Sequence, residues 1–346
     1  MKTMKAGIYS GPQDIRVTEI PVPTVKPGHL LVQNKASGIC GSDLHEYFGK
    51  WKQPTNVASG HEFSGMVVKV GPEVKSVVIG DHVCAECFSH CGKCTFCQTG
   101  LYNLCADRSY IGTHDGHGGF AEYALLPESS VFVLPDTFSF EEGALIEPLA
   151  VAYRSLFRTH PRSTDYIAIL GAGTIGLCCV AVAKAIGIRN ILVTAKYDQQ
   201  AKMAETLGAD QILRTSTKSY ETLLNETASM DAIDIVIDTI AIEQTFQDAL
   251  TLIRKSGTVC LVGGYTHSFN VSLRPIVSKE LQVVGSMCYG YSGMQKDFSA
   301  VIELVARKQI NALPLITHRF PLTEIDQAFR TAVDKASGSI KVLITQ

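Results

Sequence analysis

The chain has 346 residues, which predicts two domains at about 150 residues per domain. Hydrophobic residues make up 46% and charged residues 18%, so packed cores are expected and a disordered chain is excluded. The net charge is −2, which lacks the basic excess typical of proteins that bind nucleic acid or acidic membranes. We therefore expect a globular protein with neither kind of partner.

The N-terminus and the cysteine content indicate the compartment. Residues 1–7 carry lysines with no apolar stretch behind them, so they do not resemble a signal peptide. The most apolar region, 167–188, is interrupted by glycines, Thr174 and Lys184, which favours a buried strand and helix over a membrane span. Eleven cysteines without an export signal favour metal ligands or buried thiols over disulfides. The expected location is the cytoplasm.

The first part of the chain, up to Pro148, has a β-type pattern. Short apolar runs broken by Gly and Pro occur at 29–33, 66–70 and 130–134. This pattern predicts a β-rich lobe with long loops.

Beyond Pro148, apolar runs alternate with helical stretches. The predicted strands are 166–170, 190–195, 233–238, 258–262 and 281–285, and the helices between them include 175–186, 198–207 and 243–254. Such alternation is typical of βαβ units and a doubly wound parallel sheet. Two more helices, 297–307 and 323–332, and a strand at 341–345 follow. The sequence predicts an α/β lobe inserted before a short C-terminal return.

A glycine-rich turn follows the first predicted strand of the α/β lobe. Gly171, Gly173 and Gly176 match G-x-G-x-x-G, and the helical pattern behind them includes Thr174 and Ile175. Gly171 permits a tight turn, Gly173 lets a pyrophosphate approach the backbone, and Gly176 lets helix and strand pack closely. The helix N-terminus adds N–H groups for the phosphates. We expect a dinucleotide site rather than an ordinary strand-to-helix turn.

The end of the second strand distinguishes NAD from NADP. An acidic residue about 20 positions after the glycines usually binds the ribose 2′-hydroxyl of NAD. Here the strand ends in Ala195 and continues with Lys196, while Asp198 comes later and is expected to begin the next helix as its N-cap. A 2′-phosphate meets no repelling carboxylate there, and Lys196 can pair with it. We expect NADP to be preferred. NAD is the alternative, with Lys196 as a solvated surface residue.

Four cysteines form a C-x2-C-x2-C-x7-C loop: Cys91, Cys94, Cys97 and Cys105. Four thiolates are a ligand set of closed structural zinc sites, and short spacings let the chain wrap the ion. Cys84 and Cys87 lie just upstream and leave open a second grouping with Cys91 and Cys94. A zinc-ribbon binding module is the rival function, but the charges of the loop are balanced, which disfavours phosphate binding.

Three further segments contain metal-ligand side chains at wider spacing. The residues are Cys40, Ser42 and His45 in GICGSDLH, His61 and Glu62 in GHEFSG, and Glu147 in LIEP. A buried cysteine, a loop histidine and a helix-capping glutamate are each common. Spacing alone therefore leaves both a metal site and ordinary structural roles open.

The ordered set of motifs resembles the zinc-containing medium-chain alcohol dehydrogenases over essentially the whole chain. Within that family it is most similar to the polyol branch, which includes sorbitol and galactitol-phosphate dehydrogenases. The resemblance rests on segments 38–45, 60–65, 119–123 and 140–149, the four-cysteine loop and the glycine-rich turn.

The resemblance implies an α/β protein with two domains. A chaperonin-10-like, β-rich catalytic domain would comprise residues 1–152 together with 290–346. A Rossmann domain with a doubly wound parallel sheet would be inserted as residues 153–289.

The resemblance also implies a catalytic zinc ion besides the structural one. Cys40 and His61 would be ligands, and Glu62 would be the third or would exchange with Glu147 as water or substrate enters. An open position lets an alcohol bind as the alkoxide, because the charge of the metal lowers the pKa of the hydroxyl.

The remaining implied roles concern the proton and the cofactor. Ser42 would accept the substrate proton by a hydrogen bond, and His45 would pass it through the cofactor ribose to solvent. Val262, Gly263 and Gly264 would bring backbone groups to the nicotinamide.

The implied reaction is reversible oxidation of a secondary alcohol (a polyol, diol or sugar alcohol) to a ketone, in a homodimer or homotetramer. Polyol dehydrogenases often carry an arginine after the last Rossmann strand, but 285–289 contains no cation. A pocket facing Phe120, Tyr47 and Met287 would suit a partly apolar alcohol. L-Threonine 3-dehydrogenase and 2,3-butanediol dehydrogenase are therefore alternatives. The first is disfavoured because no Gly-Asn pair follows Pro148.

Overall fold

The computed structural model describes residues 2–112, 117–215, 232–265 and 268–346. The chain forms two compact units, Met1–Glu147 with Ala312–Gln346 and Pro148–Asn311. The expected boundaries were 152/153 and 289/290, whereas the structure keeps the segment up to Asn311 with the second unit. The reason is local packing, because Phe298 lies against Tyr289 with ring centroids 4.7 Å apart.

The first unit is built on a sheet of seven strands. In order across the sheet they are Ile316–Pro321, Lys341–Thr345, His29–Gly38, Glu62–Val70, His82–Ala85 and Val131–Val133, and Tyr123–Pro127 pairs with His29–Gly38. All pairs are antiparallel except the first. Two hairpins accompany the sheet, Thr3–Gly11 with Asp14–Pro21 and Phe88–Ser89 with Ser109–Tyr110. The three predicted β-type runs lie in or overlap these strands.

Among the described residues, four helices belong wholly or partly to this unit: Gly41–Tyr47, Thr95–Gln98, Phe140–Phe157 and Ile325–Val333. The last helix buries one face in an aromatic core. Phe329 contacts Tyr47 at 5.1 Å and Phe120 at 5.6 Å between ring centroids. Tyr47 and Phe120 are therefore packing residues. Both side chains are buried in this core, and the substrate pocket expected to face them stays a prediction.

The second unit contains a parallel six-stranded sheet. Its order is Gln211–Arg214, Asn190–Ala195, Tyr166–Leu170, Ile233–Asp238, Ile253–Leu261 and Gln282–Gly285. The helices are Thr174–Ala185, Asp198–Leu207, Glu243–Leu252, Arg274–Ser278 and Asp297–Ala306, and a small hairpin pairs Tyr291–Ser292 with Gln295–Lys296. The doubly wound parallel sheet predicted from the sequence is confirmed.

Three details of the second unit differ from the prediction. Helix Asp198–Leu207 has Tyr197 and not Asp198 as its N-cap, because the extended backbone that precedes the helix ends at Tyr197. Gln211–Arg214 was missed because this edge strand is short and only Leu213 in it is buried. Ile253–Leu261 begins before the predicted 258, since Ile253 already has extended backbone angles and ends the preceding helix.

Short 3-10 turns complete the fold at Tyr102–Leu104, Glu128–Ser130, Leu313–Leu315, Leu322–Glu324 and Lys335–Ser337. Over the described ranges, no helix is long and apolar enough to cross a membrane.

Candidate active site and metal groups

The short helix Gly41–Tyr47 presents the first group of candidate residues. Cys40 is its N-cap, with an extended backbone, and its N–H donates to Asp43 Oδ2 at 2.8 Å. Asp43 is buried, so this bond fixes the direction in which Cys40 leaves the helix. The hydrogen bond between Cys40 and Asp43 thereby fixes the position from which the Cys40 thiol extends.

The structure brings Cys40, His61 and Glu62 together. One ligand atom of each, the cysteine sulfur, an imidazole nitrogen and a carboxylate oxygen, lies within 4.8 Å of the others. Glu62 begins a strand and pairs with Gly38 on the neighbouring strand. A Cβ on Gly38 would overlap Glu62 Oε2, so glycine is required for the carboxylate to turn towards Cys40.

A buried lysine, missed by the sequence analysis, completes this group. Lys341 is 1% exposed, forms an ion pair with Glu62 and donates to the carbonyl of Ile39 at 3.0 Å. It lies 279 residues from Glu62 along the chain, so no local motif connects the two. The sequence did contain one indication of this partner: a lysine begins the mostly apolar strand Lys341–Thr345. Lysine is almost never fully buried without a partner, so a buried ion pair could have been expected there.

Asp43 supplies a second buried charge. Its Oδ1 lies 3.8 Å from His61 Nδ1. Burial disfavours the charged form of His61, but the negative charges of Asp43 and Cys40 outweigh burial and raise its pKa well above 6.5. The group therefore has a negative electrostatic environment that favours a cation.

Glu147 lies nearby but outside this group. It is buried in helix Phe140–Phe157, and its charge also raises the pKa of His61. Its carboxylate is not among the ligand atoms within 4.8 Å of one another. The arrangement in the structure has Glu62, and not Glu147, beside Cys40 and His61.

Ser42 and His45 lie on the same helix. The hydroxyl oxygen of Ser42 is buried and has no hydrogen-bond partner among the described residues. His45 stacks on Trp51, with ring centroids 5.0 Å apart and planes at 27°. Trp51 was not anticipated, because a tryptophan six positions from a histidine predicts no contact by itself.

The donor set fits zinc. A thiolate, an imidazole and a carboxylate are all zinc ligands, and three protein ligands are typical of a catalytic site with one open position. The unpaired buried hydroxyl of Ser42 adds a polar atom that awaits a partner.

The four loop cysteines also converge. The sulfur atoms of Cys91, Cys94, Cys97 and Cys105 all lie within 4.8 Å of one another. Cys94 and Cys97 are 3.5 Å apart and Cys91 and Cys97 are 3.9 Å apart. Tetrahedral zinc with bonds of about 2.3 Å requires sulfur separations of about 3.8 Å, so these distances fit the ion. Backbone N–H groups of Lys93 and Cys94 lower the pKa of Cys91 to about 7, which favours the thiolate.

The alternative cysteine grouping does not form. Cys84 and Cys87 are buried and are not among the clustered ligand atoms of the described residues. Burial raises the pKa of Cys84, which keeps it a neutral thiol.

The glycine-rich turn has the geometry expected of it. Gly171 has a φ of +98°, and a Cβ on Gly176 would overlap the carbonyl oxygen of Gly171. Gly173 is the N-cap of helix Thr174–Ala185, so Thr174 and Ile175 open its first turn. The N–H groups of Val262 and Gly263 donate to the Asp238 carbonyl at 3.0 and 3.2 Å, and Gly264 follows them.

Two cationic side chains lie where the second strand and its neighbour end. Ala195 is fully buried, and Lys196 is exposed with its ammonium 5.5 Å from the Tyr197 ring centroid. Arg214, on the adjacent strand, pairs in register with Ala195 and forms an ion pair with Asp198. Sequence analysis missed Arg214 because strand Gln211–Arg214 itself was missed.

Two family models match the chain: the alcohol dehydrogenase GroES-like domain over residues 26–136 and the zinc-binding dehydrogenase domain over 174–307. Together they cover more than half of it.

Individual proteins match over nearly their whole length. D-arabitol-phosphate dehydrogenase of Enterococcus avium is 35% identical, covering 99% of this chain and 97% of its own. A Sinorhizobium meliloti 1021 structure bound to NADP has a TM-score of 0.91 at 29% identity and 100% coverage of both chains. A short chain alcohol dehydrogenase from Escherichia coli CFT073 complexed with NADH has a TM-score of 0.90 at 29% identity, again with 100% coverage of both. The chain therefore belongs to the polyol branch of the zinc-containing medium-chain alcohol dehydrogenases and is a zinc-dependent NAD(P) oxidoreductase acting on alcohols.

Proposed function

We propose that the chain is a polyol dehydrogenase that oxidises a secondary alcohol of a polyol or sugar alcohol to a ketone, with hydride transfer preferentially to NADP+. The observation that carries the proposal is the group of Cys40, His61 and Glu62, on the same unit as the unpaired Ser42 hydroxyl. This set combines a cation site with a hydrogen-bonding group for an alcohol.

Cys40, His61 and Glu62 would hold the catalytic zinc, with Glu147 available to exchange with Glu62. When bound, the ion lowers the pKa of an alcohol hydroxyl, which is the obstacle to removing hydride at neutral pH. The carboxylate of Asp43, 3.8 Å from His61 Nδ1, would polarise His61 from behind the metal.

Ser42 and His45 are the side chains that would handle the proton. The buried Ser42 oxygen would accept the hydrogen bond of the substrate hydroxyl and, as it takes that proton, release its own. His45, on the same helix but not hydrogen-bonded to Ser42 Oγ in the structure, would deliver the released proton to solvent. The contact with Trp51 restrains the imidazole of His45, which lowers the cost of orienting it during transfer.

A second zinc ion would be structural. Four thiolates at the spacing of Cys91, Cys94, Cys97 and Cys105 leave no open position for substrate. Each chain would then hold two zinc ions of unequal accessibility.

NADP is preferred on grounds of charge. No carboxylate stands at Ala195, Lys196 follows it, and Arg214 lies opposite it on the adjacent strand. The Asp198 carboxylate is already paired with Arg214, which weakens its repulsion of a 2′-phosphate. The pyrophosphate would bind at the N-terminus of helix Thr174–Ala185.

A homodimer or a homotetramer is the proposed assembly. Strand Gln282–Gly285 ends the described sheet, and Val283, Val277 and Leu273 are exposed on or near it. An edge strand with apolar side chains is a template for pairing with a second copy. Sedimentation of the purified protein tests this.

A turnover assay tests the proposed function. Polyols, 2,3-butanediol, sugar phosphates and L-threonine would each be offered with NADP+ and with NAD+ while nicotinamide absorbance is followed. We expect turnover of polyols, with a higher kcat/KM for NADP+. Turnover of L-threonine or butanediol alone would replace the substrate class, and no turnover of any of these alcohols by zinc-loaded protein would refute the proposed substrate class.

A further inference from the structure

A buried carboxylate that belongs to neither metal group stands at the end of strand Ile233–Asp238. Asp238 is 0% exposed. Its Oδ1 accepts from the backbone N–H groups of Ile240 at 2.9 Å and Ala241 at 3.2 Å. Its Oδ2 accepts from the hydroxyls of Thr245 at 2.9 Å and Tyr265 at 2.7 Å. Both oxygens are thus fully used in holding other parts of the chain.

The loop held by Asp238 is strained. Ala241 has a φ of +65°, a left-handed conformation that alanine rarely adopts. The bond from its N–H to the buried carboxylate stabilises that conformation. Such strain persists only where surrounding contacts determine the backbone, and it concentrates at functional sites.

This loop, residues 239–242, lies between the two backbone segments assigned to the cofactor. A Cβ on Gly171 would lie 2.6 Å from Ile240 Cγ1, and a Cβ on Gly263 would lie 2.5 Å from the Ala241 methyl. The glycines are therefore in close contact with the loop on both sides. A shift of Ile240 or Ala241 would displace the glycine-rich turn or Gly263.

Hydrogen bonds connect the same segments directly. Thr239 Oγ1 donates to the carbonyl of Leu170 at 2.8 Å, immediately before the glycine-rich turn. The Asp238 carbonyl accepts from Val262 and Gly263, the other cofactor segment. Residues 238–239 thus form hydrogen bonds with both segments assigned to the cofactor.

We propose that Asp238 is a positioning residue for the nicotinamide dinucleotide, with Tyr265 as its partner. The carboxylate fixes loop 239–242 and, through it, the spacing between the glycine-rich turn and Gly263–Gly264. Tyr265 anchors the chain just after Gly264 to the same carboxylate. Both segments assigned to the cofactor are therefore held in place by one buried group, Asp238. This role rests on the nucleotide site of the proposed function.

The chemistry of Tyr265 suits an anchor. Burial, together with its bond to Asp238, raises the pKa of the Tyr265 phenol, so the hydroxyl stays protonated and donates. A hydrogen bond to a charged acceptor is stronger than one between neutral groups. Removing this one donor therefore loosens the segment after Gly264 while leaving the strand intact.

The test is a direct titration of nucleotide binding, read from the fluorescence of NADPH and of NADH without substrate. The variants are Asp238→Ala, Asp238→Asn and Tyr265→Phe. The matched control is Asp234→Ala on the same strand. Asp234 also accepts a backbone N–H, from Tyr166 at 2.8 Å, and a side-chain donor, Arg254 Nε at 2.6 Å, but it stands at the opposite end of the strand. Thermal unfolding of each variant is measured in parallel.

We expect Asp238→Ala to weaken nucleotide binding by about 5- to 30-fold, the upper part of the roughly 2- to 30-fold range typical of residues that act through neighbouring structure. Asp238→Asn should recover part of the loss, because its amide oxygen still accepts the two backbone N–H groups whereas its NH2 cannot accept from Tyr265 or Thr245. Tyr265→Phe should weaken binding by about threefold with little change in Tm. Asp234→Ala should lower Tm and leave the dissociation constant within about twofold.

Several results would overturn the proposal. Equal dissociation constants for folded Asp238→Ala and Asp234→Ala would make Asp238 purely structural. If Asp238→Ala does not fold, unchanged binding by Tyr265→Phe would decide against the role. Failure of the unaltered protein to bind either nucleotide would refute the cofactor assignment itself, and the positioning role with it.

Discussion

Replacing Lys341 with methionine tests how the charge on Glu62 is balanced. Methionine preserves most of the stem but removes the ammonium that pairs with Glu62 and donates to the Ile39 carbonyl. Both partners are buried, with side chains 1% exposed. In protein without zinc, the substitution leaves Glu62 as a buried carboxylate without its cation.

The size of the effect follows from burial. Removing one partner of a buried ion pair costs about 3–5 kcal/mol, because the remaining charge is uncompensated. At about 2–4 °C per kcal/mol for a unit of this size, the loss in Tm is about 6–20 °C. Zinc held by Cys40, His61 and Glu62 would place a new positive charge beside the carboxylate. The loss should therefore be less than half as large in zinc-loaded protein.

The assay is thermal unfolding of Lys341→Met and of the unaltered protein, each with zinc and after chelation. Lys279→Met is the control, since Lys279 is a partly buried lysine of the other unit whose Nζ donates to the carbonyls of Leu250 at 2.9 Å and Ile253 at 2.8 Å. Its effect should not depend on zinc. The double variant Glu62→Gln with Lys341→Met should recover stability in chelated protein. Equal Tm losses for Lys341→Met with and without zinc would refute this reasoning.

Four further predictions concern the other groups. Mild chelation should abolish turnover while the fold survives, whereas Cys105→Ala should destabilise the first unit, which calorimetry and zinc analysis would distinguish. His45→Gln should lower kcat by up to about 10²–10⁴-fold, most at lower pH where hydroxide cannot replace the relay, with zinc content unchanged. Ala195→Asp should raise KM for NADP+ far more than for NAD+, and Lys196→Ala should have a smaller, salt-sensitive effect of no more than about 1 kcal/mol. Burial raises the pKa of Glu46 from 4.5 to about 7, so the folded state retains a proton that the unfolded state releases. Stability in urea should therefore fall as pH rises through that window, and less so in Glu46→Gln.

Features set by residues close together in sequence were predictable. The strands Tyr166–Leu170, Asn190–Ala195 and Ile233–Asp238 begin and end where their apolar runs do. The glycine-rich turn and the four-cysteine loop were found for the same reason, since neighbours along the chain determine the turn and the sulfur positions.

Features set by distant residues were not predictable. Lys341 reaches Glu62 only because its strand lies beside His29–Gly38, and strand pairing across such separations leaves no local pattern. Arg214 reaches Ala195 in the same way, across a pair of parallel strands. The contact of Phe329 with Tyr47 and Phe120 was not predictable for the same reason, because Phe329 comes from the end of the chain.

The charges around the proposed metal group connect the last strand of the chain to its N-terminal motifs. In the proposed site, a zinc ion held by the Cys40 thiolate and the Glu62 carboxylate would be formally neutral with its ligands, and Asp43 and Glu147 would add two buried negative charges. Lys341, on the last strand, supplies one buried positive charge and pairs with Glu62. Because an uncompensated buried charge is costly, this ion pair helps to hold the C-terminal return on the first unit. The N-terminal motifs would therefore supply the ligands, and the last strand would supply part of the charge that lets those ligands be buried.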